Sequence, residues 1–163
     1  MKKVMLVMLA LAAVVVPAAL ATPPAQAPSA YCTANPALIG ATKAYKNLGA
    51  CVSAQAAQAA ANTSNAAKAC KAEMADANFA GSHDGKTFDQ FYGGNADKGN
   101  GNGNGKAYGR CVSQKASGKT AEQQAAQVNA AKKCRTAPLK DQIGVGKAYR
   151  NFGACVAAQT KLA

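Results

Sequence analysis

Residues 39–55 read IGATKAYKNLGACVSAQ and residues 143–159 read IGVGKAYRNFGACVAAQ; they align without a gap and agree at 12 of 17 positions. Agreement at that level inside one chain marks a duplication, so the fold is read as a repeat before any element is assigned. A shorter third version, Lys106-Ala107-Tyr108-Gly109-Arg110-Cys111-Val112-Ser113, aligns with residues 46–53 and 150–157. The shared pattern is basic, any, large apolar, Gly, any, Cys, Val. A second motif precedes the other cysteines: Asn65-Ala66-Ala67-Lys68-Ala69-Cys70-Lys71 matches Asn129-Ala130-Ala131-Lys132-Lys133-Cys134-Arg135 at all but two positions. The chain therefore reads as three modules, each opening and closing with Cys, over 32–51, 70–111 and 134–155.

Alanine- and glutamine-rich connectors join the modules, and their propensity is helical. Thr120-Ala121-Glu122-Gln123 has the form of a capping box, which predicts a helix from about residue 121 to 135, stopped by Pro138. A counterpart is expected from near Ser64 to about Ala77. Before each, a separate helix is expected, over 52–61 and over 112–116, ended by Asn62-Thr63 and by Ser117-Gly118. Tyr45, Leu48 and Val52, with their copies Tyr149, Phe152 and Val156, recur at i, i+3 and i+7, the spacing of one helix face. Gly49 and Gly153 interrupt those stripes at a cost of roughly 1 kcal/mol against Ala. Their recurrence points to close packing, with a neighbouring backbone as one candidate.

The middle module carries an insertion. Residues 93–105 are so rich in Gly and Asn that they predict a flexible, solvated loop. Phe79, Phe88, Phe91 and Tyr92, just before it, form the densest aromatic patch and are expected to fill the core. Bulk is scarce elsewhere: from Thr22 onward Leu, Ile, Val and Phe number 15 in 142 residues, below the one-fifth level under which strongly charged chains tend to disorder. Alanine, 41 of the 163 residues, supplies most of the 49% hydrophobic content and buries little area per side chain. A large self-sufficient core is excluded, so the six cysteines must carry much of the stability. The expected fold is mainly α, a small disulfide-stapled helical repeat domain over 32–163.

Residues 1–21 carry Lys2 and Lys3, an apolar run over 4–16, Pro17, and then Ala19-Leu20-Ala21, the pattern of a cleaved export signal. The apolar run is shorter than the about 20 residues a membrane span requires, so no stable span is expected after cleavage. Residues 22–31 read as a Pro/Ala-rich linker, and Ser29-Ala30-Tyr31-Cys32 lacks the features of lipid attachment. The mature chain is expected to be secreted, extracellular or associated with the cell envelope. That compartment is oxidising and the cysteine count is even, which makes disulfides the default for Cys32, Cys51, Cys70, Cys111, Cys134 and Cys155.

Two pairings compete. Within modules, Cys32 joins Cys51, Cys70 joins Cys111 and Cys134 joins Cys155, and each repeat is self-contained. Across connectors, Cys51 joins Cys70 and Cys111 joins Cys134, which leaves Cys32 for Cys155. In a hairpin turning near Thr63, Cys51 and Cys70 are mismatched by about 7.5 Å of helical rise, whereas bridged Cα atoms approach within about 7 Å. The first pairing is favoured and the second requires offset helices. Each bridge contributes about 3 to 4 kcal/mol for loops of this length.

Recognisable reaction chemistry is absent from the sequence. His83 is the only histidine, so a multi-histidine metal site cannot be built from one chain. A hydrolase using His83 and Asp84 with Ser82, Ser113 or Ser117 is the alternative reading, unsupported by any nucleophile-elbow sequence. Asn100, Asn102 and Asn104 imitate half of a calcium loop, but the twelfth position is Cys111 in place of a bidentate Glu. No cysteine pair has the two- to four-residue separation of zinc or redox motifs. Asn62-Thr63-Ser64 is a glycosylation sequon with meaning only in a host that uses it. No catalytic residue, metal ligand or cofactor is expected.

Charge remains. Lys and Arg total 19 against 7 Asp and Glu; without Lys2 and Lys3 the balance is 17 against 7, a net +10. Lys43, Lys46, Lys106, Arg110, Lys147 and Arg150 stand in the repeated motifs beside Tyr45, Tyr108 and Tyr149, and are the candidate polyanion-binding residues. Expected partners are anionic cell-surface polymers or other polyanions, with no specific nucleic-acid motif. Lys outnumbers Arg 14 to 3 after residue 21, which favours diffuse attraction over bidentate phosphate recognition. A membrane-active cationic protein is a further alternative, weakened by helices that offer Ala where bulky apolar residues are needed.

The pairing of Asn-Ala-Ala-Lys-x-Cys with basic-x-aromatic-Gly-x-Cys-Val-Ser, at 65–70 and 106–113, is similar to uncharacterised secreted, alanine-rich, cysteine-containing repeat proteins of high-GC Gram-positive bacteria. The resemblance implies repetition and export, and transfers no catalytic or binding residue. The outer modules depart from it, with Ile-Gly at 39–40 and 143–144 where the middle module has Tyr92-Gly93.

Overall fold

The computed structural model describes residues 23–93 and 104–162. The expected signal segment 1–21 and most of the expected loop 93–105 lie outside the described residues. Two long helices organise the rest. α2 (Leu48–Ala75) and α5 (Asn104–Lys133) have 28 and 30 residues, about 42 and 45 Å at helical rise, and they pack along each other. α1 (Pro28–Ala34) packs on α2; a short α3 (Phe79–Ser82) leads to α4 (Phe88–Gly93), which packs on α5, as does α6 (Phe152–Lys161). Among the described residues no strand forms beyond two isolated bridges, Ile39 with Tyr45 and Ile143 with Tyr149.

The helix breaks expected at Asn62-Thr63 and Ser117-Gly118 do not occur; each connector continues the helix before it. The polar side chains explain why. Thr63 Oγ1 donates to the Ala59 carbonyl at 2.9 Å and Thr120 Oγ1 to the Ala116 carbonyl at 2.8 Å, the four-residue back-bond that a helix interior tolerates. Asn62 is buried and donates its side-chain amide to Thr120 Oγ1 at 3.0 Å and to Gln123 Oε1 at 2.6 Å. The residues of the expected capping box thus tie α5 to α2, and the sequon asparagine is part of the interface between them.

Continuous helices also decide the cysteine pairing. Cys51 and Cys70 lie on one helix, 19 residues apart, roughly 28 Å at helical rise, far beyond disulfide reach. The structure joins Cys32 to Cys51, Cys70 to Cys111 and Cys134 to Cys155, with Cα separations of 6.0, 6.0 and 6.1 Å. All six cysteines are essentially solvent-free.

α2 and α6 begin alike. Asn47 and Asn151 cap them, accepting from the amides of Ala50 and Ala154 at 2.8 and 2.9 Å. Tyr45 and Tyr149 therefore stand in the loops before the helices and not on the helical face their spacing predicts. The loops share a frame and depart from one another at Gly146, which holds φ of 73° where Thr42 has no positive φ. Gly40 and Gly144 both hold φ of 145°, a region closed to most side chains. Their amides each donate to the tyrosine carbonyl five residues on, at 2.8 Å in both.

The outer modules fuse into one core, in which Tyr31, Leu38, Ala130, Ala131, Phe152 and Val156 surround the Cys32–Cys51 and Cys134–Cys155 bridges. The middle module makes its own from Phe79, Phe88, Tyr92, Ala107 and the Cys70–Cys111 bridge. The aromatic patch thus fills a core, except that Phe91 is 43% exposed. Between the two cores the helix pair is lined by Gln55, Asn62, Ala66, Ala116, Thr120 and Gln124, side chains small or polar enough for close approach.

The expected linker 22–31 is part of the domain. α1 starts within it at Pro28, Tyr31 is buried, and Gln26 exchanges backbone bonds with the Gln124 side chain at 2.9 and 3.0 Å. Residues 23–27 are held against α5 by that exchange.

Candidate functional site

The six candidate cations are all exposed, yet they do not form one face. Lys43 and Lys46 lie in the loop before α2 and Lys147 and Arg150 in its copy before α6, all around the fused outer core. Lys106 and Arg110 lie on the first turns of α5, against the middle core. Along α5 that places them about 35 to 40 Å from the helix's other end at Lys133. Arg110 donates to the Gly93 carbonyl, which ties it to the end of α4.

At the outer-module end the cations converge on an aromatic ring. The Lys43 ammonium stands 4.6 Å and the Arg135 guanidinium 5.7 Å from the centroid of Phe152. Sequence reasoning missed Arg135 as a site residue. The signal was present, because Arg135 closes the motif it shares with Lys71 and follows Cys134, whose bridge to Cys155 brings it beside α6. Two ion pairs form among the described residues, Lys115 with Glu73 and Lys119 with Glu122, and neither draws on the outer loops. Among the described residues no carboxylate pairs with the loop cations.

Beneath the loops lies a polar node. Gln127 Oε1 accepts from Tyr31 Oη at 3.1 Å, Tyr45 Oη at 3.0 Å and Gln55 Nε2 at 3.0 Å. Gln55 Nε2 also donates to Tyr45 Oη at 3.0 Å, and in the copy Gln159 Nε2 donates to Tyr149 Oη at 3.2 Å. Burial, with a contribution from Tyr45, pushes the Tyr31 phenol above its ordinary range. The node fixes the loops from below and leaves their lysines outward. A groove of about 430 Å³ runs between residues 23–35 and α5, lined by Pro24, Tyr31, Asn35, Gln124 and Val128.

The middle module holds the other titratable cluster. Glu73 Oε1 pairs with Lys115 Nζ at 2.8 Å and Glu73 Oε2 accepts from Tyr92 Oη at 2.9 Å. Burial alone would raise the Glu73 carboxyl, but hydrogen bonds from Lys115 and Tyr92, with the charges of Lys115 and His83, outweigh it and hold the group low. His83 is stacked on Phe79, with ring centroids 3.7 Å apart. Its Nδ1 lies 2.8 Å from the Phe79 carbonyl and 3.0 Å from Ser82 Oγ, which itself donates to the Phe79 carbonyl. Ser82 and His83 are thus drawn into the end of α3, and among the described residues Asp84 makes no hydrogen bond to His83. Among the described residues no group of three or more His, Cys, Asp or Glu side chains is placed to hold a metal ion, and no helix is long and apolar enough to cross a membrane. Comparison with protein-family models, curated proteins and solved structures finds no match to the chain.

Proposed function

We propose that the chain is an exported, disulfide-braced helical protein that binds an anionic cell-surface polymer through the loops of its fused outer modules. The observation that carries this reading is the convergence of Lys43 and Arg135 on Phe152. Lys46, Lys147 and Arg150 stand exposed in the same two loops, without a carboxylate partner among the described residues. Three buried disulfides are an extracellular type of bracing, and residues 1–21 read as an export signal. The predominance of Lys suits a polymer held by summed charge over one gripped at a single phosphate.

Retention on an immobilised sulfated or phosphorylated polymer tests this reading. The control is the same chain reduced and capped with a neutral alkylating agent, which keeps every charge and loses the bracing. The folded chain is expected to elute at clearly higher salt than the capped one. Equal elution would show that charge alone is responsible and would remove the assignment to a folded face.

A further inference from the structure

The duplicated loop and the duplicated helix start meet once inside the chain. Where they meet, the fit is close. The Gly153 amide donates to the Thr42 carbonyl at 3.2 Å, and a Cβ built on Gly153 would fall 2.4 Å from the Lys43 carbonyl oxygen and 2.8 Å from its carbon. Phe152 is 8% exposed beneath Lys43. So loop 39–45 of the first module is seated on the start of α6 in the third.

The reciprocal contact is missing. Leu48, the counterpart of Phe152, is 48% exposed, and a Cβ on Gly49 would meet only the Asn47 side chain, at 3.5 Å. Loop 143–149, the counterpart of the seated loop, leaves Val145 97% exposed. Yet that loop shares the frame of its copy, with φ of 145° at Gly144 and at Gly40 and the same tyrosine-closing bonds, and departs from it at Gly146, whose φ is 73° where Thr42 has no positive φ. One chain therefore carries a used pair of surfaces and both halves of an unused pair.

We infer that the chain associates head to tail with a second copy of itself, loop 143–149 of one molecule seating on Leu48 and Gly49 of the next. The internal contact between the modules specifies this occupant: it shows what covers such a helix start, and the exposed loop shares the frame of the one that does so, closed at the same glycine and tyrosine. The interface joins two different surfaces, so it extends into short chains of molecules unless a ring closes. Gly146, in place of Thr42, holds φ of 73° where Thr42 has no positive φ, so its peptide has to turn before its carbonyl can accept from the glycine amide of the next molecule. Leu48 in place of Phe152 removes the ring beneath the lysine, so the contact between copies is weaker than the contact within one. Two chains of net positive charge also repel, and salt relieves that repulsion. Association therefore strengthens with salt, opposite to retention on a polyanion, and the two readings stand or fall separately.

Sedimentation of the oxidised protein in about 0.5 M salt, where the Debye length is only about 4 Å, tests it. Between about 10 μM and 1 mM, the range of weak contacts, the average mass of the wild type should rise with concentration. Gly49→Ala places a methyl where the neighbouring loop's carbonyl would lie and should weaken association by about ten-fold or more. Thermal unfolding of this variant checks that it is folded, since within its own chain the methyl meets only the Asn47 side chain at ordinary contact distance, 3.5 Å. Leu48→Phe restores the ring and should tighten association about two- to five-fold. A wild type that stays monomeric throughout, or a Gly49→Ala variant that associates as well as the wild type, overturns the inference; the latter result would assign the association to another surface.

Discussion

Gly49 and Gly153 occupy the same place in two copies of one motif and face different surroundings. At Gly153 a methyl group would press on the Lys43 backbone, which cannot swing aside as a side chain would. Gly153→Ala is expected to cost about 1 to 3 kcal/mol through overpacking. Gly49→Ala is expected to leave stability unchanged or raise it by up to about 1 kcal/mol, because helix propensity is gained and only ordinary contact is met. Urea unfolding of the two variants checks the pair, and equal effects would contradict the description of the outer modules. Glu73 supports a second prediction. Its folded carboxyl is held below its ordinary value of 4.5, so its contribution is present above that value and is lost as pH falls through the folded one. Melting points recorded downward from about pH 5 should fall, and Glu73→Gln should flatten that decline by about 0.5 to 1 kcal/mol, the pair being about one-third exposed. The recurrence of glycine is legible in the sequence. Which glycine meets a backbone is not, because only the packing of module on module distinguishes them.

At the scale of elements, the long helices were legible as helices and misread at their boundaries. Asn, Thr, Ser and Gly at 62–63 and 117–118 carry the local signature of helix ends, since such side chains compete for backbone bonds. In α2 and α5 they sit opposite one another and bond across the pair, and this depends on a partner helix that local sequence does not specify. Asn62→Ala leaves the Gln123 carbonyl and the Thr120 hydroxyl without their shared donor, and is expected to cost about 1 to 3 kcal/mol. Amide hydrogen exchange should show the loss concentrated near residues 59–66 and 116–124. A variant as stable as the wild type would mean that the two helices are held by the cores at their ends alone. Tyr45 and Tyr149 teach the same lesson: their spacing fits a helix face, but Asn47 and Asn151 start the helices later and leave both tyrosines in loops.

The whole molecule is two disulfide-centred cores joined by a helix pair that is polar and finely packed between them. Repetition and the scarcity of large apolar residues made the modules and the need for bracing readable. The fusion of the first and third modules into one core was not readable, because it follows from continuous α2 and α5 spanning the length that the connectors were expected to break. That fusion turns a scattered set of cations into two separate groups. Lys43, Lys46, Arg135, Lys147 and Arg150 surround one core, while Lys106 and Arg110 border the other. Neutralising equal numbers of charges at the two ends is the most direct test. Lys43→Gln with Arg150→Gln is compared with Lys106→Gln and Arg110→Gln, each double variant losing two positive charges, by the salt needed to elute it from an anionic polymer. The account predicts a large drop for the first pair and a small one for the second. Equal drops would mean that the polymer senses net charge, and would contradict a binding face at the fused outer modules.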